Sequence, residues 1–423
     1  MLTAVVGINW GDEGKGRMVD LLAQSYDIVC RYQGGNNAGH TVVNDKGTFK
    51  LNLLPSGILR SDIVNVMGCG MVVDIEHLCT EIKNLHASGI DVTPANLKIS
   101  DAAFICLPYH KAQDILEEER LADKMYGSTR RGIAPVYGDK YMKKGLRLGD
   151  LWDLGSLEDK VIDIVTWKNL TLGAYGQNKA NACEVLGWLR EYGERLLPYI
   201  TNTTEYLNQA ASSGKKILFE AQLGALRDID YGIYPYTTSS QTLAAYAPIG
   251  SGIPGVKLDK TVGVMKAYSS CVGEGPFVSE MFGDESIALR EAGGEYGAAT
   301  GRARRVGAFD VVASRYGVQV QGATEVALTK LDILAYLEKI PICIAYEIDG
   351  KRITEFPRGD ALMRAKPVYE YMDGFKTDIS KCRKLEDLPT KALEYIRYIE
   401  SAVGCKITYV SVGASREDYL VID

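Results

Sequence analysis

Histidine is scarce in this chain of 423 residues: His40, His77, His86 and His110 are the only four, and no two have His-x-x-x-His spacing. The nine cysteines are odd in number and scattered, with no Cys-x-x-Cys pair. Together these lacks argue against a zinc site or a disulfide framework, and buried, reduced thiols are expected. No run of about twenty apolar residues is present, so no bilayer-spanning helix is expected. Positive charge is in deficit, with a net charge of −6. This argues against bulk binding to nucleic acid or acidic membranes and leaves room for a local basic pocket. Asp12 and Glu13 come too early for a signal peptide, and a cytoplasmic location is expected. Internal repeats and low-complexity linkers are also missing.

What remains is ordinary globular material, 46% apolar and 24% charged, long enough for a large core. Its most informative stretch is Gly7-Ile-Asn-Trp-Gly-Asp-Glu-Gly-Lys-Gly-Arg17. Thr3 to Ile8 is a β-branched apolar run of strand length, and Met18 to Ala23 reads as the apolar face of a helix. Between them stand Gly7, Gly11, Gly14 and Gly16, with Lys15 between the last two. Strand, glycine loop, lysine and helix together cradle a phosphate. Glycines let backbone N–H groups approach the anion, the helix start adds partial positive charge, and the lysine adds a full one. The standard phosphate loop is Gly-x4-Gly-Lys followed by Ser or Thr; here Asn9 takes the first glycine position and Gly16 the hydroxyl position. Asp12 and Glu13 could hold Mg²⁺ or act as a base, although an isolated loop of this kind is more often a solvated acidic turn.

A second polar loop shifts that balance. Asp27 to Gln33 reads as a strand, and Gly34-Gly-Asn-Asn-Ala-Gly-His-Thr41 follows it. His40 lies among glycines and amides, where an imidazole can donate or accept protons; a lone histidine is more often structural. Two such loops after two adjacent strands are expected to converge on one ligand, as loops at the carboxyl ends of strands do in open α/β sheets.

Further along, Val64 to Val73 reads as a strand broken by Gly68 and Gly70. Asp74 is a plausible cap for a helix through Ala87. Helical patterns cover His110 to Lys124, Asp159 to Ala211 and Leu385 to Ala402. Strands are expected at Lys215 to Phe219, Val262 to Ala267, Glu325 to Leu331 and, last, Lys406 to Val412. Alternating strands and helices predict an α/β fold with a large, mostly parallel central sheet flanked by helices. A single domain over 1–423 is expected, with insertions at about 110–212. Gly297-Ala-Ala-Thr-Gly-Arg-Ala-Arg-Arg305 is either a flexible basic loop or a carboxylate clamp, with Arg302 and Arg304 pointing the same way. Thr329-Lys-Leu-Asp332 ends a strand with a lysine able to stack on a purine and an aspartate able to accept from N1 and an exocyclic amine, which favours guanine.

Gly-x-x-Trp-Gly-Asp-Glu-Gly-Lys-Gly together with Gln-Gly-Gly-Asn-Asn-Ala-Gly-His-Thr strongly resembles adenylosuccinate synthetase, and the resemblance runs to the C-terminus. It implies a homodimer with a sheet distantly like that of the phosphate-loop GTPases. The implied reaction joins IMP and L-aspartate at the expense of GTP through a 6-phosphoryl-IMP intermediate. The implied catalytic residues are Asp12, Lys15, His40 and Gln222, with one Mg²⁺ on Asp12 and the carbonyl of Gly39. GTP would lie on Gly11 to Arg17, Gly39 to Thr41, Arg304, Lys330, Leu331, Asp332, Ser411, Val412 and Gly413. IMP would meet Asp12, Asn37, Ala38, Gly39, His40, Thr129, Lys143, Gln222, Thr238 and Arg302. Aspartate would meet Ala299, Thr300, Gly301, Arg302 and Arg304.

Three positions depart from the family pattern. Lys143 stands for an arginine that reaches the neighbouring subunit's site, and lysine lacks the planar fork. Phe-Glu-Ala-Gln-Leu-Gly replaces Phe-Glu-Gly-Ala-Gln-Gly, so Leu223 aligns with the substrate glutamine and Gln222 sits one place early. Cys271 replaces the arginine of Thr-Arg-Val-Gly. These departures keep open a related ligase acting on another purine monophosphate. A GTP-binding switch protein is the alternative from a different class.

Overall fold

The structure is a computed structural model that describes residues 1–44, 47–153, 155–297, 301 and 303–422. Ten strands form the main sheet. From one edge to the other they are Tyr419–Val421, Ile407–Ser411, Glu325–Thr329, Lys260–Lys266, Leu2–Gly7, Ile217–Gly224, Ile28–Arg31, Val64–Met67, Leu97–Ser100 and Ile200–Thr201. Every neighbouring pair is parallel except the first, where Tyr419–Val421 runs back along Ile407–Ser411. Lys406 to Val412 is therefore not the final strand, as the sequence suggested.

The central strands are apolar on both faces because helices cover both. Ala4, Val6, Ile28, Cys30 and Phe219 pack on one side against Leu207 and Ala210 of the helix Thr203–Ser212. Val5, Val29, Leu218, Val262 and Val264 pack on the other against Met18, Val19 and Ala23 of the helix Lys15–Ala23. Full burial of each such side chain contributes about 1.5–3 kcal/mol. That packing fixes where the first helix begins, and hence where its N-terminus points.

Three expectations are corrected here. The strands Leu2–Gly7 and Ile28–Arg31 are not neighbours, because Ile217–Gly224 lies between them. Their loops still meet, since all three strands end on the same edge. Val64 to Val73 is two strands, Val64–Met67 in the main sheet and Val72–Val73 paired with Phe104–Ile105. His40 opens a hairpin, His40–Asn44 with Gly47–Leu51, where the sequence suggested a loop. The helix Ile75–Ala87 starts where expected, with the Asp74 side chain accepting from the backbone N–H of His77.

The helices Leu157–Ala174 and Ala182–Leu196 build a separate apolar cluster with the far half of the sheet. His110 belongs to that scaffold. Its Nδ1 accepts from the backbone N–H of Leu107 at 2.9 Å, and its Nε2 faces Asp139 at 2.9 Å. Among the described residues no helix is long and apolar enough to cross a membrane.

Candidate active site

The loop after Leu2–Gly7 separates its two carboxylates. Glu13 folds inward and is 3% exposed. Its Oε1 accepts from the backbone N–H groups of Asn9 at 3.1 Å and Gly11 at 2.8 Å, and its Oε2 accepts from Lys15 Nζ at 2.6 Å. Asp12 adopts φ 60°, a left-handed conformation that aspartate tolerates, and turns its carboxylate into a cleft. There it meets Arg304 Nε at 3.3 Å. The cleft holds about 330 Å³ and is lined by Asp12 to Arg17, Ala38 to Thr41, Gln222, Arg304 and Lys330, among others.

His40 reaches the cleft by crossing the first helix. A Cβ on Gly16 would lie 2.7 Å from His40 Cδ2, so the position where a standard phosphate loop carries a hydroxyl is occupied here by an imidazole. Ser56 Oγ donates to Glu220 Oε1 at 2.8 Å and faces His40 Nε2 at 3.0 Å, so the imidazole donates to the hydroxyl. Burial pulls the His40 pKa from 6.5 down to about 4; Glu220 opposes this, and Arg31 and Lys15 reinforce it. The side chain is therefore neutral near pH 7.

Gln222 owes its position to a bulge. Val5 pairs with Glu220 and Gly7 with Gly224, so the residues between Glu220 and Gly224 buckle, with Leu223 at φ 61°. The buckle turns the Gln222 amide onto the second glycine loop. Its Nε2 donates to Gly35 O at 2.7 Å and Ala38 O at 3.2 Å, and its Oε1 accepts from Gly35 N–H at 3.2 Å. Leu223 lines the cleft beside it.

At the other end, Lys330 follows the strand Glu325–Thr329 at φ 59°, and its Nζ donates to Gly293 O at 2.6 Å and to Glu295 Oε1 at 2.8 Å. Two residues on, Asp332 Oδ1 is buried and has no hydrogen-bond partner, and burial pushes the Asp332 pKa up. An acceptor left in that state suits a ligand that brings N–H donors. Arg17 leaves the phosphate loop altogether. Its guanidinium donates to Ser411 Oγ and to Gly413 O and lies 4.5 Å from the centre of the Tyr419 ring. It thereby holds the loop after Ile407–Ser411.

The adenylosuccinate synthetase family model matches residues 4–420. The chain belongs to the adenylosuccinate synthetase family. It is accordingly an enzyme of the ligase class, acting in purine biosynthesis. Adenylosuccinate synthetase of Caldanaerobacter subterraneus subsp. tengcongensis is 45% identical over 423 residues, covering 100% of this chain and 99% of that one. Adenylosuccinate synthetase 2 of Pseudoalteromonas translucida is 47% identical over 420 residues, covering 99% of each. The solved structure of fully ligated adenylosuccinate synthetase from Plasmodium falciparum superposes with a TM-score of 0.93 at 34% identity, over 100% of this chain and 99% of that one.

Against the family pattern, Thr129 and Lys143 are exposed and Thr238 is buried, and none of the three lines the cleft. Ala299, Thr300 and Arg302 lie outside the described residues. On either side of them, Arg304 N–H donates to Glu295 O at 2.9 Å and Gly301 N–H to Gly297 O at 2.8 Å. Sequence reasoning missed Ser56, Arg31 and Glu295, each a single polar residue with no motif of its own, and gave no role to Glu220, although it stands in the Phe-Glu-Ala-Gln-Leu-Gly stretch. The arginine absent at Cys271 is made good from elsewhere. Arg227 Nη2 lies 3.0 Å from Cys271 Sγ and also donates to Val272 O, while Nη1 donates to Tyr236 O and to Glu274 O.

Proposed function

We propose that this enzyme forms adenylosuccinate from IMP and L-aspartate, with GTP converted to GDP and phosphate. The observation that carries the reading is that Asp12 and Lys15, from the turn into the first helix, and His40, from the start of a hairpin, face one cleft. In this reading Asp12 removes the N1 proton of IMP, and the resulting O6 oxyanion attacks the γ-phosphorus of GTP, expelling GDP. Lys15 stabilises the charge on the transferred phosphoryl group, where such reactions gain most, and His40 adds a hydrogen bond once its N–H turns from Ser56 to a phosphoryl oxygen. The aspartate amine then adds at C6 of 6-phosphoryl-IMP and phosphate leaves.

Binding roles follow the ends of the cleft. Asp332 accepts from N1 and the 2-amino group of guanine, Lys330 covers the base, and Leu331 with Ser411, Val412 and Gly413 walls it. Gly11 to Gly16 and Thr41 surround the phosphates. Gln222, Asn37 and Ala38 meet the hypoxanthine side of IMP, while Thr129, Thr238 and Arg302 take its monophosphate. Lys143 reaches from a second copy in a homodimer. Gly301 and Arg304, with Ala299, Thr300 and Arg302, hold the aspartate carboxylates.

Mg²⁺ fits the donors present. Glu13 is committed to backbone N–H groups and Lys15, which leaves Asp12 as the carboxylate of the loop that faces the cleft, with the Gly39 backbone also on its wall. Among the described residues no three His, Cys, Asp or Glu side chains converge. One carboxylate, a carbonyl and nucleotide phosphates are the donor set that magnesium prefers, and the ion would neutralise phosphate charge when bound. The test is release of phosphate from GTP with IMP and aspartate added singly and together. Strict dependence on both is expected. Hydrolysis indifferent to both would overturn the reading, and dependence on a different purine monophosphate would redirect it.

A further inference from the structure

Glu295 is fully buried, with a side-chain exposure of 0%, yet it meets three cations and a phenol. Its carboxylate accepts from Lys266 Nζ at 2.8 and 2.9 Å, Lys330 Nζ at 2.8 Å, Arg304 Nη1 at 2.8 Å and Tyr268 OH at 2.5 Å. Burial alone would raise its pKa; the three cations outweigh burial and hold it far below the usual carboxylate range. Lys266, beneath it, is pulled by burial down to about 8 with Glu295 opposing. Charge neutralisation alone would not require this arrangement, because Glu295 and Asp12 together face three bases, which leaves a net positive site. What the arrangement does specify is position. Oε1 fixes the ammonium of Lys330, which stands two residues before Asp332 at the base end. Oε2 fixes the guanidinium of Arg304, whose Nε is 3.3 Å from Asp12 at the phosphate end. The Glu295 backbone carbonyl also receives the Arg304 N–H at the foot of the loop that carries the proposed aspartate contacts.

We propose that Glu295 is a positioning residue that holds the guanine-side Lys330 and the aspartate-side Arg304 in one fixed frame, so that GTP and aspartate share a single carboxylate as their common support. This rests on the function proposed above. Removing the charge frees both cations at once, while Gln222 keeps its own partners on Gly35 and Ala38. Glu295→Gln is therefore expected to raise KM for GTP and KM for aspartate each by about tenfold, as loss of a charge-assisted hydrogen bond would, with KM for IMP nearly unchanged. Glu295→Asp keeps the charge but withdraws it by one methylene, and smaller rises in the same two constants are expected. That variant carries the test if the glutamine does not fold.

Steady-state kinetics with each substrate varied in turn, beside thermal unfolding, give the answer. A merely structural role would lower the unfolding temperature and move all three KM values together, or none. Either outcome in a variant that folds would overturn the proposal. Failure of the underlying function would appear separately, as a wild-type enzyme that does not need IMP and aspartate to consume GTP.

Discussion

The two ends of the cleft are prepared for ligand in opposite ways. At the proposed phosphate end Lys15 already lies on Glu13, and Arg304 on Asp12 and Glu295. At the base end an acceptor, Asp332 Oδ1, is buried with no partner. In the reading proposed above, phosphates that arrive compete for Lys15 and Arg304, and once Arg304 is drawn away Asp12 is free to take a proton. In the same reading a base that arrives at Asp332 displaces nothing and satisfies an unmet hydrogen bond. Discrimination at the proposed base end would then come from chemistry already in place, whereas reactivity at the proposed phosphate end would depend on the ligand breaking internal ion pairs.

Breaking the phosphate end should produce the largest effect. Asp12→Asn removes the proposed base and the partner of Arg304 together, and kcat should fall about 10³-fold, within the usual range for a lost general base, while KM for GTP stays near its original value. Near-normal turnover would contradict the assignment. Next in size, Asp332→Asn replaces an acceptor by a group that also presents N–H donors to the base. kcat/KM for GTP should fall about 10²-fold with KM for IMP unmoved. If IMP binding suffers equally, the two ends are not separate.

His40 sharpens the contrast through pH. Its pKa is about 4 in the folded protein and 6.5 in an unfolded chain, so between those values the unfolded state binds more protons. Stability is complete above pH 6.5 and declines as pH falls toward 4, by about 3 kcal/mol if the whole difference is realised. His40→Asn should remove that part of the decline in denaturant titrations taken at pH 7, 5.5 and 4.5. An unchanged slope would mean that His40 is hydrated.

Local order explains how much of this could be read in advance. The strand, glycine loop and helix at Leu2 to Ala23 declare themselves because apolar period and glycine spacing are short-range signals. So does the helix capped by Asp74. Sheet order was not legible: nothing within Ile217–Gly224 says that it will separate the strands before the two glycine loops. Nor could sequence divide the work between Asp12 and Glu13. They carry the same group, and a left-handed turn at Asp12 with two free N–H groups nearby sends one outward and the other in. Gln222 was visible as an offset from the family pattern, but the bulge that makes it usable was not.

The smallest expected effect concerns a region outside the lining of the cleft, where Cys271 takes the place of a family arginine and Arg227 brings a guanidinium to the same spot. Arg227 is 7% exposed, and its donors serve the backbone carbonyls of Tyr236, Val272 and Glu274, so it staples the segment before Thr238 to the loop after Cys271. Arg227→Leu removes the charge-assisted hydrogen bonds to these half-buried carbonyls and should cost about 2 kcal/mol. Cys271→Arg should cost at least as much, because two guanidiniums would then share one set of carbonyls. If the two positions are alternative sources of one cation, the double variant Arg227→Leu with Cys271→Arg should be more stable than either single change. Denaturant unfolding of the four proteins measures that coupling, and strict additivity would mean that the two side chains do unrelated jobs.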